Sequence, residues 1–444
     1  MKVLWLCNLI LPQAGETLGI TGIPKEGWVE GLMSAMESLS PDIELAVAFP
    51  VSEEYDGKRG TFKVSENSDF TVSYFAFYED TVHLDVFESA LVGRMNRILD
   101  EFRPDIVHIF GTESPHALAM SKAATDDDFH YHPGKERLLI TFQGICAAVA
   151  ADYLACLPDD IVSASTFRDT VKRDNIRQQQ EKFHSRAVNE LEAVKRAGHV
   201  GGRTGFDKKW ATRLGPDAVY HYAGEVMRPV FYEPLPGDIE RDKNTIFISG
   251  ADYPLKGFHI LLKALEGINW PELRIRVAGQ NIVSCDTLKQ KVRISEYGKY
   301  LGELIESCNL QGRVTFLGRI PAEEMRKEYL KCGMYICPST IENSPNSIVE
   351  ASLCEAPIIA SRVGGIPDII DDGNQALLYE CNARKPLDEV AASLRKCIEF
   401  VKLDYDRALE RGKAARMRAL KDHDPKTVAS QMLDIYSGMC AEDT

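Results

Sequence analysis

Paired cysteines are missing from this sequence. The eleven cysteines are odd in number and scattered, with no C-x2-C pair. That favours reduced thiols in a cytoplasmic chain over a disulfide framework or a zinc site. Cys7, Cys146, Cys337 and Cys354 lie in apolar runs, where cysteine behaves as a small hydrophobe. No stretch approaches the ~20 consecutive apolar residues of a membrane span. Positive charge is also in deficit. The net charge of −14 argues against a surface that binds nucleic acid as a whole, because neutralising phosphates needs a basic field. Neither half opens with a G-x-G-x-x-G turn tight against a strand, which argues against a nicotinamide dehydrogenase. The apolar run Lys2 to Cys7 is strand-length and is soon broken by Pro12 and Gly15. It reads as a first buried strand rather than a signal peptide.

What is present is an ordinary globular composition, 44% apolar and 27% charged, in 444 residues, enough for more than one domain. Short apolar runs alternate with helix-like runs throughout, so the expected class is α/β with parallel sheets. The first half offers strands at Lys2 to Cys7, Glu44 to Phe49, Thr71 to Ala76, Ile106 to Phe110, Leu138 to Phe142 and His199 to Gly201. A helix from about Leu84 to Phe102 ends ahead of Pro104. Gly224 to Pro236, with Pro229, Pro234 and Pro236, reads as a linker. The pattern then restarts with strands at Thr245 to Gly250, Leu273 to Ala278, Val314 to Phe316, Met334 to Cys337 and Pro357 to Ala360. Val428, Met432, Leu433 and Tyr436 give a final helix.

The stretch Pro338 to Pro367 concentrates the chemistry. A loop carrying Glu342 leads from one buried strand into a helix starting near Ser347, and Ser347 to Glu350 fits a capping box. A helix start fed by such a loop is an anion site, because its first N–H groups point outward. By spacing alone, Glu350 is equally a capping partner and Glu342 a surface acid. Lys256, just before Gly257, is a cation at the end of a strand-loop unit. Gly15, Gly19, Gly22 and Gly27 mark a long loop whose backbone is open to a ligand or simply flexible. His108 lies inside an apolar strand and reads as a satisfied core histidine. Thr112 and Glu113, at that strand's carboxyl end, are better placed to meet a ligand. Asp126 to Asp128 and the histidines at 130 and 132 read as a solvated loop, with no second cluster to complete a metal site. The basic stretch 167–196 is read as one helix. Its cations form either a solvated face with i,i+4 pairs or a patch for anionic lipid at the inner face of a membrane.

Glu342 and Glu350 with Pro357, Gly364, Gly365 and Pro367 resemble the E-x7-E signature of the family 4 glycosyltransferases. Pro104 to Gly111 is similar to the P-D-x-V-H-x-x-G segment of the same enzymes. The resemblance implies a retaining hexosyltransferase of the GT-B fold, two Rossmann-like doubly wound domains facing across a cleft. These would be residues 1–225 on the acceptor side, with 425–444 packing back on them, and 226–424 for the nucleotide sugar. It implies Glu342 and Lys256 as catalytic residues. It assigns donor contacts to Glu350, Asn346, Ser347, Ile348, Gly27, Gly250, Gly318 and Arg319. Thr112, Glu113, Gln143 and Arg203 would face the sugar or acceptor. No cofactor or catalytic metal is expected, a UDP- or GDP-sugar being a co-substrate. The acceptor would be a saccharide or lipid-linked, in polysaccharide or glycoconjugate synthesis. Three positions depart from common relatives: Glu26 for a glycine, Gln143 for a histidine and Ala251 for an arginine, for which Arg203 or Arg319 is a candidate substitute. A phosphorylase, an epimerase and a non-catalytic nucleotide-sugar sensor are the alternatives, separated by product analysis.

Overall fold

The computed structural model describes residues 1–20, 27–39, 42–65, 68–284 and 287–441. The chain divides into two compact units, one of 1–147, 182–229 and 422–444, the other of 148–181 and 230–421.

The first unit holds an eight-stranded sheet: β1 (Lys2–Leu6), β2 (Glu44–Val51), β3 (Arg59–Lys63), β4 (Thr71–Tyr78), β5 (Ile106–Phe110), β6 (Leu138–Thr141), β7 (His199–Gly202) and β8 (Val219–Tyr222). Their order is β3-β4-β2-β1-β5-β6-β7-β8, parallel except for β3 against β4. Val3 to Leu6 and Leu138 to Ile140 are fully buried, as continuous apolar runs demand when helices cover both faces of a parallel sheet. Strand order reverses between β1 and β5, so their carboxyl ends open a crevice that α/β sheets use for ligands.

His108 is buried within β5. Its Nδ1 lies 2.6 Å from the Tyr436 hydroxyl and its Nε2 2.9 Å from Thr141 Oγ1. The Trp5 indole donates to the same Tyr436 hydroxyl at 2.9 Å, tying the helix Pro425–Ala441 to β1 and β5.

The second unit repeats the plan with β9 (Asp242–Ile248), β10 (Arg274–Val277), β11 (Val314–Phe316), β12 (Cys332–Cys337), β13 (Ile358–Ser361) and β14 (Leu377–Tyr379). All are parallel, in the order β11-β10-β9-β12-β13-β14. The switch point is between β9 and β12. Phe247, Tyr329 and Tyr335 pack edge-on beneath it, with Phe247 and Tyr335 each within about 6 Å of Tyr329.

Several readings from the sequence change. The loop after β1 contains a helix, Pro12–Leu18, opened by proline in the first turn and closed by Gly19 at φ 73°. Gly22 and Glu26 fall outside the described residues. The helix before Pro104 begins only at Ala90. The basic stretch is two helices, Phe167–Lys172 and Ile176–Lys195, because Arg173 turns left-handed at φ 50°.

Residues 148–181 depart from the boundary at 225 and group with the second unit. The Thr166 hydroxyl donates to the Ile294 carbonyl at 2.8 Å, and Asp169 accepts the Glu296 N–H at 2.8 Å. These partners are too far along the chain for local pattern to show them.

Candidate functional site

In the second unit the carboxyl ends of β9 and β12 bring two opposite charges together. After β9 the chain turns through Pro254–Lys256 and Gly257 before the helix Phe258–Ala264. Gly257 has φ 67°, and a Cβ there would overlap the Pro338 carbonyl, so only glycine lets these loops approach. The Thr340 N–H donates to the Leu255 carbonyl at 2.8 Å, and the Ser361 hydroxyl to the Ser339 carbonyl at 2.5 Å. The loop is thereby fixed from β9 on one side and β13 on the other. Glu342 Oε1 accepts from Lys256 Nζ at 2.7 Å and from Ser339 Oγ at 2.8 Å. The Glu342 side chain is 13% exposed and that of Lys256 44%, which leaves the ammonium within reach of a ligand. The Glu342 charge raises the Lys256 pKa, so the ammonium stays charged at neutral pH.

The following helix spans Asn346–Leu353, and its N-cap is Pro345, with no side-chain cap. This corrects the capping box. Pro345 holds the extended entry, and Ser347 is the second residue of the helix rather than its cap. The Ser347 hydroxyl instead pairs with the buried Tyr335 hydroxyl, which also meets Ser249 Oγ at 2.8 Å. Pro345 brings no side-chain cap to the first turn, whose N–H groups point toward the loop of Glu342 as the first amides of any helix do.

The opposite end is held by cations. Arg241 Nη2 donates to the Cys354 carbonyl at 2.7 Å, its Nη1 to Tyr329 at 2.7 Å, and Arg416 bonds the Leu353 carbonyl. Positive charge at a helix C-terminus reinforces the dipole whose positive end faces the loop of Glu342.

The other donor-side residues divide by exposure. Gly250, Gly318 and the exposed Arg319 follow β9 and β11 on the same edge, and the Gly279 N–H reaches the Gly318 carbonyl at 2.9 Å. Ile348 is fully buried, so only its backbone can meet a ligand there. Glu350 is 6% exposed. Gly27 lies in the first unit, capping the helix Trp28–Glu37 without a side-chain bond.

Around the first unit's switch point, sequence reasoning named Thr112 and Glu113 but missed their partners. The Thr112 hydroxyl donates to Glu190 at 2.7 Å, and the Cys146 and Ala147 N–H groups donate to the same carboxylate at 2.9 Å each. Asn8 Nδ2 reaches Glu113 Oε2 at 3.4 Å, and Arg186 Nε donates to the Glu113 carbonyl at 2.7 Å. Gln143 and Arg203 line one small cavity with Trp28, Phe110 and Thr141. Arg203 is buried against Glu225, so its charge is already balanced within the unit. Of the two candidate substitutes for the arginine absent at Ala251, only Arg319 therefore stands on the second sheet's edge.

The basic stretch also commits cations internally. Arg168 pairs with Asp169 at 2.8 Å and Asp174 at 3.0 Å, Arg186 takes the Glu113 carbonyl, and Arg196 pairs with Asp126. Among the described residues no group of three or more His, Cys, Asp or Glu is arranged to hold a metal ion, and no helix is long and apolar enough to cross a membrane.

Burial pushes the Glu190 carboxyl up from 4.5 to about 7. Across that window the folded chain keeps a proton that the unfolded chain has released. Stability therefore falls as pH rises and levels off above about 7. Glu190→Gln is expected to make the slope shallower by up to one proton, about 1.4 kcal/mol per pH unit. Denaturant unfolding at pH 5, 6 and 7 reads it. Parallel slopes for the two proteins would remove Glu190 from this role.

Residues 236–403 match the family model described as Glycosyl transferases group 1. The alpha-maltose-1-phosphate synthase of Mycolicibacterium smegmatis is 31% identical over 122 residues, 28% of this chain and 31% of that protein. The GPI3 subunit of phosphatidylinositol N-acetylglucosaminyltransferase of Saccharomyces cerevisiae is 25% identical over 235 residues, 51% of this chain and 47% of that one. The chain thus spans about a third to a half of the length of these curated relatives. Among solved structures, sucrose-phosphate synthase from Thermosynechococcus elongatus superposes with a TM-score of 0.68 at 15% identity, covering 100% of both chains. HepE from Anabaena, solved with UDP-glucose, gives 0.64 at 16% identity, covering 99% of this chain and 100% of that one. At these identities the structural likeness speaks to the fold: two parallel-sheet Rossmann-like domains of the GT-B kind.

Proposed function

We propose, on the premise that this chain belongs through residues 236–403 to the glycosyl transferases group 1 family, that it is a retaining glycosyltransferase. It moves a hexose from a UDP- or GDP-sugar to a saccharide or lipid-linked acceptor. The observation that carries the reading is the 2.7 Å pair Lys256–Glu342 across the β9/β12 switch point, beside a helix start with no side-chain cap. As the bond between C1 and the diphosphate oxygen breaks, negative charge builds on the phosphates. The Lys256 ammonium and the amides at Asn346 and Ser347 stabilise it. Glu342 positions the transferred sugar, and Glu350 accepts from the ribose. Arg319 supplies charge on the same rim. Glu113 and Gln143 are assigned to the acceptor side, while Thr112 is buried with its hydroxyl held by Glu190. That HepE was solved with UDP-glucose favours a uridine donor.

The test is transfer with a panel of UDP-, GDP- and ADP-sugars and saccharide acceptors, reading free nucleoside diphosphate and the anomeric configuration of the product. Release that depends on both donor and acceptor, with retention, is the expected result. Donor binding without turnover across the panel would favour a sensor instead.

Glu350→Gln is expected to weaken nucleotide binding by about 1.5–3 kcal/mol, the worth of a charged hydrogen bond. Titration calorimetry reads this directly. A melting temperature measured beside it separates lost binding from any loss of helix stability.

A further inference from the structure

The short helix Phe167–Lys172 is turned inside out. Its aspartate, Asp169, is fully buried, while Phe167 and Val171 are 69% and 66% exposed. Local chemistry forces this. Asp169 forms a capping box with Thr166, accepting the Thr166 N–H at 3.3 Å while its own N–H donates to the Thr166 hydroxyl at 3.2 Å. The same carboxylate accepts the Glu296 N–H at 2.8 Å, at the start of the helix Glu296–Ser307, and a bond from Arg168 at 2.8 Å. Asp169 must therefore face inward. Phe167 and Val171 lie two residues to either side of it, about 200° around the helix. Being four residues apart, they are carried outward together on one face.

The residues beside this apolar pair are basic. Lys172 and Arg173 follow directly, Arg177 lies in the first turn of the helix Ile176–Lys195, and all three are exposed. The helix Leu288–Arg293 packs alongside, tied by the bond from the Thr166 hydroxyl to the Ile294 carbonyl. It contains no acidic residue and adds Val292, 53% exposed, and an exposed Arg293. The two acids between 167 and 177, Asp169 and Asp174, are both engaged by Arg168, at 2.8 and 3.0 Å. Among the described residues Lys172, Arg173, Arg177 and Arg293 take part in no ion pair. All of these residues belong to the second unit.

Exposed apolar side chains bordered by unpaired cations match the interface of an anionic bilayer, where the former enter the acyl boundary and the latter meet headgroup phosphates. A nucleic acid would use the cations but leave Phe167 and Val171 in water. We propose that this face docks on an anionic lipid surface, with Phe167 and Val171 entering the boundary between headgroups and acyl chains and Lys172, Arg173, Arg177 and Arg293 on lipid phosphates. The lipid patch is thus confined to the first part of the basic stretch, because Arg186 and Arg196 further along are committed within the protein. The docking stands whether or not the transferase reading does; within that reading it favours a lipid-linked acceptor.

Flotation of the full chain with lipid vesicles tests it. One set is phosphatidylcholine alone, the other phosphatidylcholine mixed in equal parts with phosphatidylglycerol. The expected result is binding to the mixed vesicles at low ionic strength, lost as salt screens the cations, and none to phosphatidylcholine alone. Lys172→Gln with Arg173→Gln is expected to lower partitioning by about 30-fold, roughly fivefold for each cation near an anionic leaflet. Phe167→Ser with Val171→Ser should lower it at least as far, although every cation remains. All four side chains are exposed, so neither double variant disturbs the fold. Val82→Ser removes an apolar residue of the first unit that is 77% exposed, and it should bind as wild type does.

No binding to the mixed vesicles at low salt, or binding unchanged in either double variant, overturns the proposal. So does a concentration-dependent dimer in sedimentation velocity that Phe167→Ser with Val171→Ser dissolves, which would make this face a contact between two copies of the chain.

Discussion

Lys256→Ala is expected to lower turnover by roughly 10²–10³-fold, the effect of deleting one preorganised charge donor at a site of developing charge, about 2.7–4 kcal/mol. The side chain is held for this role. Its ammonium contacts Glu342 at 2.7 Å, and the Glu342 loop is fixed from β9 and β13 by the Thr340 and Ser361 bonds. Truncation does two things at once. It removes the cation that would meet the leaving diphosphate, and it leaves Glu342 with Ser339 but without its countercharge beside that diphosphate.

Adding Glu342→Gln to Lys256→Ala therefore separates the two effects. If repulsion from the bare carboxylate contributes, the double variant binds nucleoside diphosphate better than Lys256→Ala alone. Melting temperature should change little, because the pair is partly exposed and such pairs contribute modestly to stability. Turnover equal to wild type would remove Lys256 from the reaction.

Gly364→Ala is expected to be among the most damaging small substitutions in the second unit. Gly364 has φ 51°, and a Cβ there would run into the Glu342 carbonyl, the same carbonyl that accepts the Gly365 N–H at 3.0 Å. An L-residue held left-handed costs about 1–2 kcal/mol before any clash. The overlap is backbone against Cβ, so no rotamer relieves it and one of the two loops must move. The melting temperature should fall by several degrees. Transfer should drop by ~10²-fold, since a displacement of about 1 Å at a reacting group costs that much.

Gly93→Ala is the matched control. Gly93 lies within the helix Ala90–Phe102 with open space around its Cβ position. There alanine should leave transfer unchanged and add up to about 1 kcal/mol of stability. Equal losses in both variants would show that Gly364 has no special tie to Glu342.

The α/β class was legible because parallel strands buried on both faces leave continuous apolar runs such as Val3 to Leu6 and Ile358 to Ala360. The edges left weaker marks. In β3 only Phe62 is buried among charged and small neighbours, and β8 has no buried residue, so neither carries the apolar run of a central strand. The short loops around Glu342 and Lys256 could be read because a strand, a glycine turn and a helix start are local events.

What could not be read was whatever depends on partners far along the chain. Glu190 looks like one acid in a basic helix until folding puts it under Thr112 and the Cys146 and Ala147 amides. Asn8, Glu79 and His116 are unremarkable singly and come to share hydrogen bonds only when β1, β4 and β5 lie in one sheet. The capping box failed for a local reason: proline before Asn346 supplies the extended entry that a capping serine would otherwise provide.

The central claim is that the carboxyl edge between β9 and β12 seats the diphosphate of a sugar donor. A crystal of the full chain grown with UDP-glucose tests it most directly. The expected density places the diphosphate within hydrogen-bond reach of Lys256 Nζ and the first amides of the helix at Asn346, with a ribose hydroxyl on Glu350. A nucleotide bound elsewhere, with Lys256 still on Glu342 and the helix start unengaged, would contradict it.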